Sequence, residues 1–181
     1  SGYLIPFRGV FVAYGLRNGG NAFGPGEYDK LAQLCLEHHV TPALQYTSSN
    51  DAHAGPFRQA LRERGVRFGV WEDEPTIGSG YHAVRLYDAD YYIAEAEQLS
   101  PWADIARDFR DELPYTPAAV VTNFTGLDDE FYNATLRYYG FACIGEAYLP
   151  ENPQATPLAI AYEAIRRGWD RPQVAVGIYS G

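Results

Sequence analysis

The sequence predicts an α/β fold of the (β/α)8, TIM-barrel-like class, with parallel strands and an apparent stop after the seventh strand. Apolar runs rich in β-branched and aromatic residues recur about every 20 to 30 residues. Amphipathic helical patterns fill most of the intervals between these runs. Acidic and amide residues follow the carboxyl ends of several runs, which is where (β/α)8 barrels place their functional sites.

Seven segments have the composition of strands, and most of them lack a regular alternation of apolar and polar residues. Parallel strands that are covered by helices on both faces have this continuous apolar composition. The predicted strands are residues 9–14, 42–47, 67–73, 91–97, 118–124, 142–148 and 173–179.

Six segments have helical periodicity, and residues 101–113 are the clearest case because Trp102, Ile105 and Phe109 fall on one face. Pro56 is predicted in the first turn of its helix, where the missing N–H costs nothing. Glycines follow three of the helices, as is typical of helix ends. The predicted helices are residues 27–39, 55–65, 80–90 (the weakest), 101–113, 127–140 and 156–168.

Two architectures fit an alternation of strands and helices, an open doubly wound sheet and a closed barrel. The first loop, residues 15–27, contains glycines but lacks the G-x-G-x-x-G pattern of dinucleotide-binding sheets. The acids at the strand ends favour the barrel. Because no seventh helix and no eighth strand precede Gly181, we expect residues 1–181 to form a single domain that is a segment of a longer polypeptide.

The charge and composition of the chain argue against two classes of partner. The net charge is −9 with a pI near 4.8, and no basic stripe of the kind that binds nucleic acid is present. No apolar run approaches the roughly 18 residues of a membrane helix, and no signal peptide is visible. We therefore predict a soluble segment with neither a nucleic-acid nor a membrane partner.

No cofactor and no metal ion is predicted. The sequence has no H-E-x-x-H, no C-x-x-C and no histidine cluster, so a zinc site is not expected. Carboxylates at strand ends could hold Mg²⁺ or Ca²⁺, but no loop has a dedicated ligand spacing. Cys35 and Cys143 lie in apolar patterns and are predicted to be buried free thiols.

Three glutamates are the main candidates for a site. Glu95 and Glu97 share one face of the fourth strand, opposite two alanines, and Glu146 lies between Gly145 and Ala147 in the sixth. A carboxylate that pointed into the helix layer would lose its hydration, so we expect all three to face the barrel axis. Glu97 and Glu146 are the predicted catalytic pair.

Further polar and aromatic residues at strand ends are predicted to bind substrate. Acids at strand ends can also be ordinary solvated loop residues. Glu95 could be a hydrogen-bonded structural acid, and Glu72 could belong to a charged loop entry. The predicted substrate-binding residues are Trp71, Glu72, Glu95, Asn123, Tyr148 and Tyr179.

Four stretches together carry a resemblance to a known family: YYIAEAE (91–97), ACIGEAYLPENP (142–153), a helix ending in RRGW (166–169) and PQVAVGIYSG (172–181). They resemble the glycoside-hydrolase-like barrel domains of cell-wall lytic enzymes and of phage tail proteins. The resemblance covers residues 67–181. It implies an acid at the end of the fourth strand, which is Glu97, and another in the sixth, which is Glu146.

The resemblance implies a barrel that acts on or binds a glycan of the bacterial envelope, located in a virion tail or at the cell exterior. A carbohydrate ligand and other virion or surface-assembly subunits are the expected partners. The alternative is a non-catalytic structural or glycan-binding module. A separation of about 5 to 10 Å between the carboxyl groups of Glu97 and Glu146 across an open cleft would favour the enzyme, whereas a plugged barrel mouth or ion pairs between these acids and arginines would favour the alternative.

Overall fold

The computed structural model describes residues 10–12, 25–46, 51–148 and 152–178. Strands and α-helices alternate throughout this part of the chain. The strands are β1 (Val10–Val12), β2 (Thr41–Gln45), β3 (Gly69–Glu72), β4 (Tyr91–Glu95), β5 (Ala118–Thr122), β6 (Phe141–Ala147) and β7 (Val174–Ile178). The helices are α1 (Pro25–Glu37), α2 (Asp51–Glu63), α3 (Ser79–Tyr87), α4 (Trp102–Glu112), α5 (Glu130–Tyr138) and α6 (Pro157–Arg166).

Every predicted strand and helix is present, and the α/β class with parallel pairing is confirmed. Within the described residues there are seven strands and six α-helices, so this part of the chain does not reach eight strand–helix units. The apolar cysteine patterns were also interpreted correctly, because Cys35 and Cys143 are both free and buried. Among the described helices, none is both long and apolar enough to cross a membrane.

The start of α2 differs from the prediction. The helix begins at Asp51, so Pro56 lies inside it and not in its first turn. A proline at this depth removes one backbone hydrogen bond of the helix. Phe57 and Leu61 of the same helix are fully buried, and the burial of these two side chains offsets that cost.

The chain divides into two compact units. The N-terminal unit comprises Phe7–Glu72 and His82–Tyr92. In it β2 pairs in parallel with β1 and with β3, and α1 packs against α2 through the rings of Tyr28 and Phe57. The hydroxyl of Tyr91 donates to the carbonyls of Thr41 (3.1 Å) and Pro42 (2.9 Å), and so joins the start of β4 to the start of β2.

The C-terminal unit includes Asp73–Tyr81 and Ile93–Gly181. In it β6 pairs in parallel with β5 and β7, and α6 packs on β6 and β7. The helix ends follow the predicted rules. The Asp129 side chain caps α5 by accepting from the amide of Phe131, and Gly140 and Gly168 follow α5 and α6 with positive φ angles of 79° and 102°.

Candidate active site: three glutamates in the C-terminal unit

Glu146 lies near the carboxyl end of β6, on the face of the strand that points away from α6. Gly145 faces Ile160 of α6 so closely that a Cβ atom at this position would overlap the isoleucine side chain. Because successive residues of a strand point to opposite faces, Glu146 lies on the other face, with Ile144 and Tyr148. Its partner in register on β7 is Gly177, which leaves room beside the carboxyl group. Glu146 is buried.

Glu95 is the last residue of β4, and Glu97 follows two positions later. The strand is shorter than the predicted 91–97, so Glu97 belongs to the segment beyond it. That segment is fixed to the end of β5, because the amide of Ala96 donates to the carbonyl of Val121 at 2.7 Å. Glu95 is half-buried and Glu97 is exposed, so the solvent-facing carboxyl group of the two is that of Glu97.

The three predicted glutamates meet. One carboxylate oxygen from each of Glu95, Glu97 and Glu146 lies within 4.8 Å of the other two. β4, the segment that follows it and β6 therefore bring three carboxyl groups close together. The predicted orientation of the three side chains toward the axis of a barrel stays a prediction.

One of the three carboxyl groups holds a proton at neutral pH. Partial burial, the hydrogen bonds that the protonated Glu95 carboxyl group donates to the side chains of Asp73 and Glu97, and the nearby carboxylates of those two residues raise the pKa of Glu95 to about 9. These neighbours favour the neutral form of the Glu95 carboxyl group at pH 7. The cluster can therefore donate a proton at pH 7, as a general acid must.

The retained proton makes the stability of the protein depend on pH. An unfolded glutamate titrates near pH 4.3, so between that pH and about 9 the folded state binds one more proton than the unfolded state. Stability therefore falls as the pH rises through this window. We expect Glu95→Gln, which cannot ionise, to raise the free energy of unfolding at pH 8 by on the order of 1 kcal/mol after allowance for solvent screening.

The measurement is thermal unfolding of both proteins from pH 4.5 to pH 8. The gain from Glu95→Gln should be smallest at the acid end, where the carboxyl group is protonated in both states. Parallel curves for the two proteins would show that Glu95 titrates alike when folded and unfolded.

Among the described residues, these three carboxyl groups form the cluster that could hold a metal ion. Their oxygen atoms would suit Mg²⁺ or Ca²⁺ and not a softer metal. A cation would have to displace the proton of Glu95, because metal ligands bind in their ionised form. This competition can be measured as a fall in the titration midpoint of Glu95 on addition of the cation.

Other predicted residues of the C-terminal unit lie close to strand ends. Tyr148 follows β6 directly, is half-buried, and its ring carbon Cε1 would lie 3.9 Å from a Cβ atom at Gly177. Asn123 follows β5 and is exposed, and its Oδ1 accepts from the amide of Thr125 at 2.9 Å. Part of its role is therefore to stabilise the local turn. Tyr179 lies outside the described residues.

Trp71 and Glu72 end β3 in the N-terminal unit, and both are buried. The hydroxyl of Tyr92 donates to Glu72 Oε1 at 2.6 Å. Burial and the neighbouring Glu72 raise the pKa of Tyr92, so the hydroxyl keeps the proton that it donates. The three-carboxylate group does not include Glu72. Substrate binding by Trp71 and Glu72 stays a prediction.

Two residues that act on the cluster were not among the predicted site residues. Asp73 was interpreted as part of a charged loop entry, but its side chain hydrogen-bonds Glu95. Gly126 packs against the backbone next to Glu97, and a Cβ atom there would lie 2.6 Å from the carbonyl oxygen of Gln98. The only signal for Asp73 was its position directly after β3, and the sequence carried no signal for Gly126.

Comparison with known proteins does not identify a family for the chain. No protein-family model matches the chain, and no curated protein sequence matches it.

Proposed function

We propose that this chain hydrolyses a glycosidic bond in a glycan of the bacterial envelope, on a TIM-barrel-like α/β scaffold. The observation that carries the proposal is the meeting of three carboxyl groups, those of Glu95, Glu97 and Glu146, within 4.8 Å, where Glu95 has a pKa raised to about 9. Glycoside hydrolysis needs a carboxylic acid and a carboxylate on either side of the scissile bond.

The exposure of each group suggests its role. Glu97 faces solvent and delivers to the leaving oxygen the proton that Glu95, its hydrogen-bond partner, holds at neutral pH. Glu146 supplies the carboxylate that attacks the anomeric carbon as the bond to the leaving oxygen breaks. Water activated by Glu97 then cleaves the glycosyl ester and returns the proton.

The spacing favours retention of configuration. One oxygen atom of Glu97 and one of Glu146 lie within 4.8 Å of each other, which is below the roughly 5–5.5 Å carboxyl separation of retaining glycosidases and further below the roughly 6.5–9.5 Å of inverting ones. An inverting mechanism needs room for a water molecule between its two carboxyl groups. Proton NMR of the first-formed sugar anomer distinguishes the two outcomes.

Two side chains near the cluster suit a sugar ligand. The half-buried ring of Tyr148 follows Glu146 by two positions, and aromatic faces pack against the apolar faces of sugar rings. The exposed amide of Asn123 offers N–H donors for hydroxyl groups. The envelope substrate, the partner subunits and a location in a virion tail or at the cell exterior rest on the family resemblance of residues 67–181.

The proposal is tested by incubating the protein with purified bacterial cell-wall glycans and measuring the release of reducing ends. The wild type should release them, and a Glu97→Gln, Glu146→Gln double variant of equal thermal stability should not. Equal release by both proteins would refute the assignment of the catalytic pair.

The second candidate is a non-catalytic, glycan-binding or structural module. The burial of Glu146 favours it, because a buried carboxyl group is often a hydrogen-bonded structural group. Sedimentation with insoluble cell walls separates the two functions. Retention on the wall without release of reducing ends supports the binding module, and release supports the enzyme.

A further inference from the structure

We propose that Thr122, the last residue of β5, is a positioning residue that sets where Glu97 lies in the three-glutamate cluster. This inference rests on the proposed function for its catalytic meaning. Its structural part, the placement of Glu97 against Glu95, can be tested without any substrate.

The hydroxyl group of Thr122 lies between two backbone segments. It donates to the carbonyl oxygen of Ala96 at 3.1 Å and accepts from the amide of Phe124 at 2.8 Å. Thr122 is fully buried, so water does not replace either hydrogen bond at low cost. Because Ala96 directly precedes Glu97, the hydroxyl joins the segment that carries Glu97 to the turn that follows β5.

That turn has a strained backbone. Phe124 adopts a left-handed conformation with φ of 70°, which is unfavourable for a residue with a bulky side chain. Such a conformation persists only where the surroundings impose it, and it is found most often at functional sites. Here the Thr122 hydroxyl binds the Phe124 amide, and the Arg167 guanidinium lies 4.8 Å from the centre of the Phe124 ring.

The turn after β5 also packs directly against the backbone of residues 96–98, which carry Glu97. Gly126, in the short helical turn after Phe124, lies so near Ala96 and Gln98 that a Cβ atom would come within 2.8 Å of the Ala96 carbonyl oxygen. The segment from 96 to 98 therefore has backbone contacts on either side of Glu97. The buried Thr122 hydroxyl hydrogen-bonds both this segment and the turn after β5.

The experiment compares Thr122→Val, which removes the hydroxyl group but keeps the shape, with Thr122→Ser, which keeps the hydroxyl group. The first readout is the titration of Glu95 by carbon NMR of its carboxyl group, with Glu95→Gln used for assignment. Loss of the hydroxyl group should let Glu97 move away from Glu95, and the Glu95 midpoint should fall by about one pH unit. Thr122→Ser should keep the wild-type midpoint.

The second readout is catalysis, where Thr122→Val should lower kcat by about tenfold or more with little change in KM, since only the reacting group is displaced. Thr135→Val is the matched control, because the Thr135 hydroxyl also bonds a backbone carbonyl, that of Phe131, but on α5 away from the cluster. It should leave both readouts unchanged.

A Thr122→Val protein that is less stable but keeps the Glu95 midpoint would overturn the proposal, because a purely structural hydroxyl group would behave in this way. If Thr122→Val does not fold, Thr122→Ala is tested against Thr122→Ser by the same criterion. If the wild type hydrolyses no glycan, the proposed function fails, and the titration still decides the placement of Glu97.

Discussion

Glu146→Gln is expected to lower kcat for glycan hydrolysis by about 10³-fold, since the carboxylate that attacks the anomeric carbon would be replaced by a neutral amide. Glutamine has the shape of glutamate, and Gly177 opposite leaves room for it, so we expect the fold to be kept. The measurement is the rate of reducing-end release at saturating substrate, with thermal unfolding as a check of the fold.

Glu74→Gln is the matched control for this experiment. It removes the same charge from an exposed loop position that follows Asp73 in the chain, and it should leave kcat within about twofold of the wild type.

Azide added to Glu146→Ala should restore turnover by attacking in place of the missing carboxylate. A fully active Glu146→Gln enzyme would exclude Glu146 as the nucleophile.

Gly126→Ala is expected to destabilise the protein by about 3 kcal/mol or more, because an added methyl group would overlap main-chain atoms. Its Cβ atom would lie 2.6 Å and 2.8 Å from the carbonyl oxygens of Gln98 and Ala96, and 2.9 Å from the amide nitrogen of Gln98. Backbone atoms cannot turn away as a flexible side chain can. The segment that carries Glu97 must move, so hydrolysis should fall with stability.

Gly55→Ala is the control for the glycine substitution. A Cβ atom at Gly55, within α2, meets nothing within 4 Å, and alanine favours a helix over glycine by roughly 0.5–1 kcal/mol. We expect a small rise in the melting temperature, against a fall of roughly 10 °C for Gly126→Ala. If both variants melted like the wild type, the close packing of residues 96–98 on Gly126 would be wrong.

The fold could be predicted from the sequence because its signals are local. Apolar runs, helical periodicity and glycine stops located each strand and α-helix of the described residues, including the ends at Gly140 and Gly168. The predicted ends of helices were less accurate where tertiary packing decides where the helix begins. Pro56 marks a helix start by local rules, but the burial of Phe57 and Leu61 stabilises a longer helix around it.

The meeting of the glutamates could be anticipated from strand alternation together with parallel pairing. Glu95 and Glu97 lie on one side of their segment, and Glu146 lies opposite the face that packs on α6. Which of them holds the proton could not be anticipated. That property depends on Asp73, which is 22 positions from Glu95 in the chain and reaches it only in the folded protein.

The roles of Thr122 and Gly126 also could not be predicted from the sequence. A threonine that ends a strand and a glycine in a turn are ordinary residues by local criteria. Their importance comes from atoms of the segment from 96 to 98, more than 20 positions earlier. No local pattern records such a contact, so the residues that place Glu97 became visible only with the structure.

Glu95, which lies in the group of three glutamates, holds a proton at neutral pH. The most direct measurement is the titration of the Glu95 carboxyl carbon by NMR in the wild-type protein, assigned with Glu95→Gln. We expect a midpoint near pH 9 and a neutral carboxyl group at pH 7. A midpoint near 4.3, as in an unfolded chain, would mean that Glu95 is ionised at pH 7, and it would contradict the role of Glu95 as the holder of the proton that is donated.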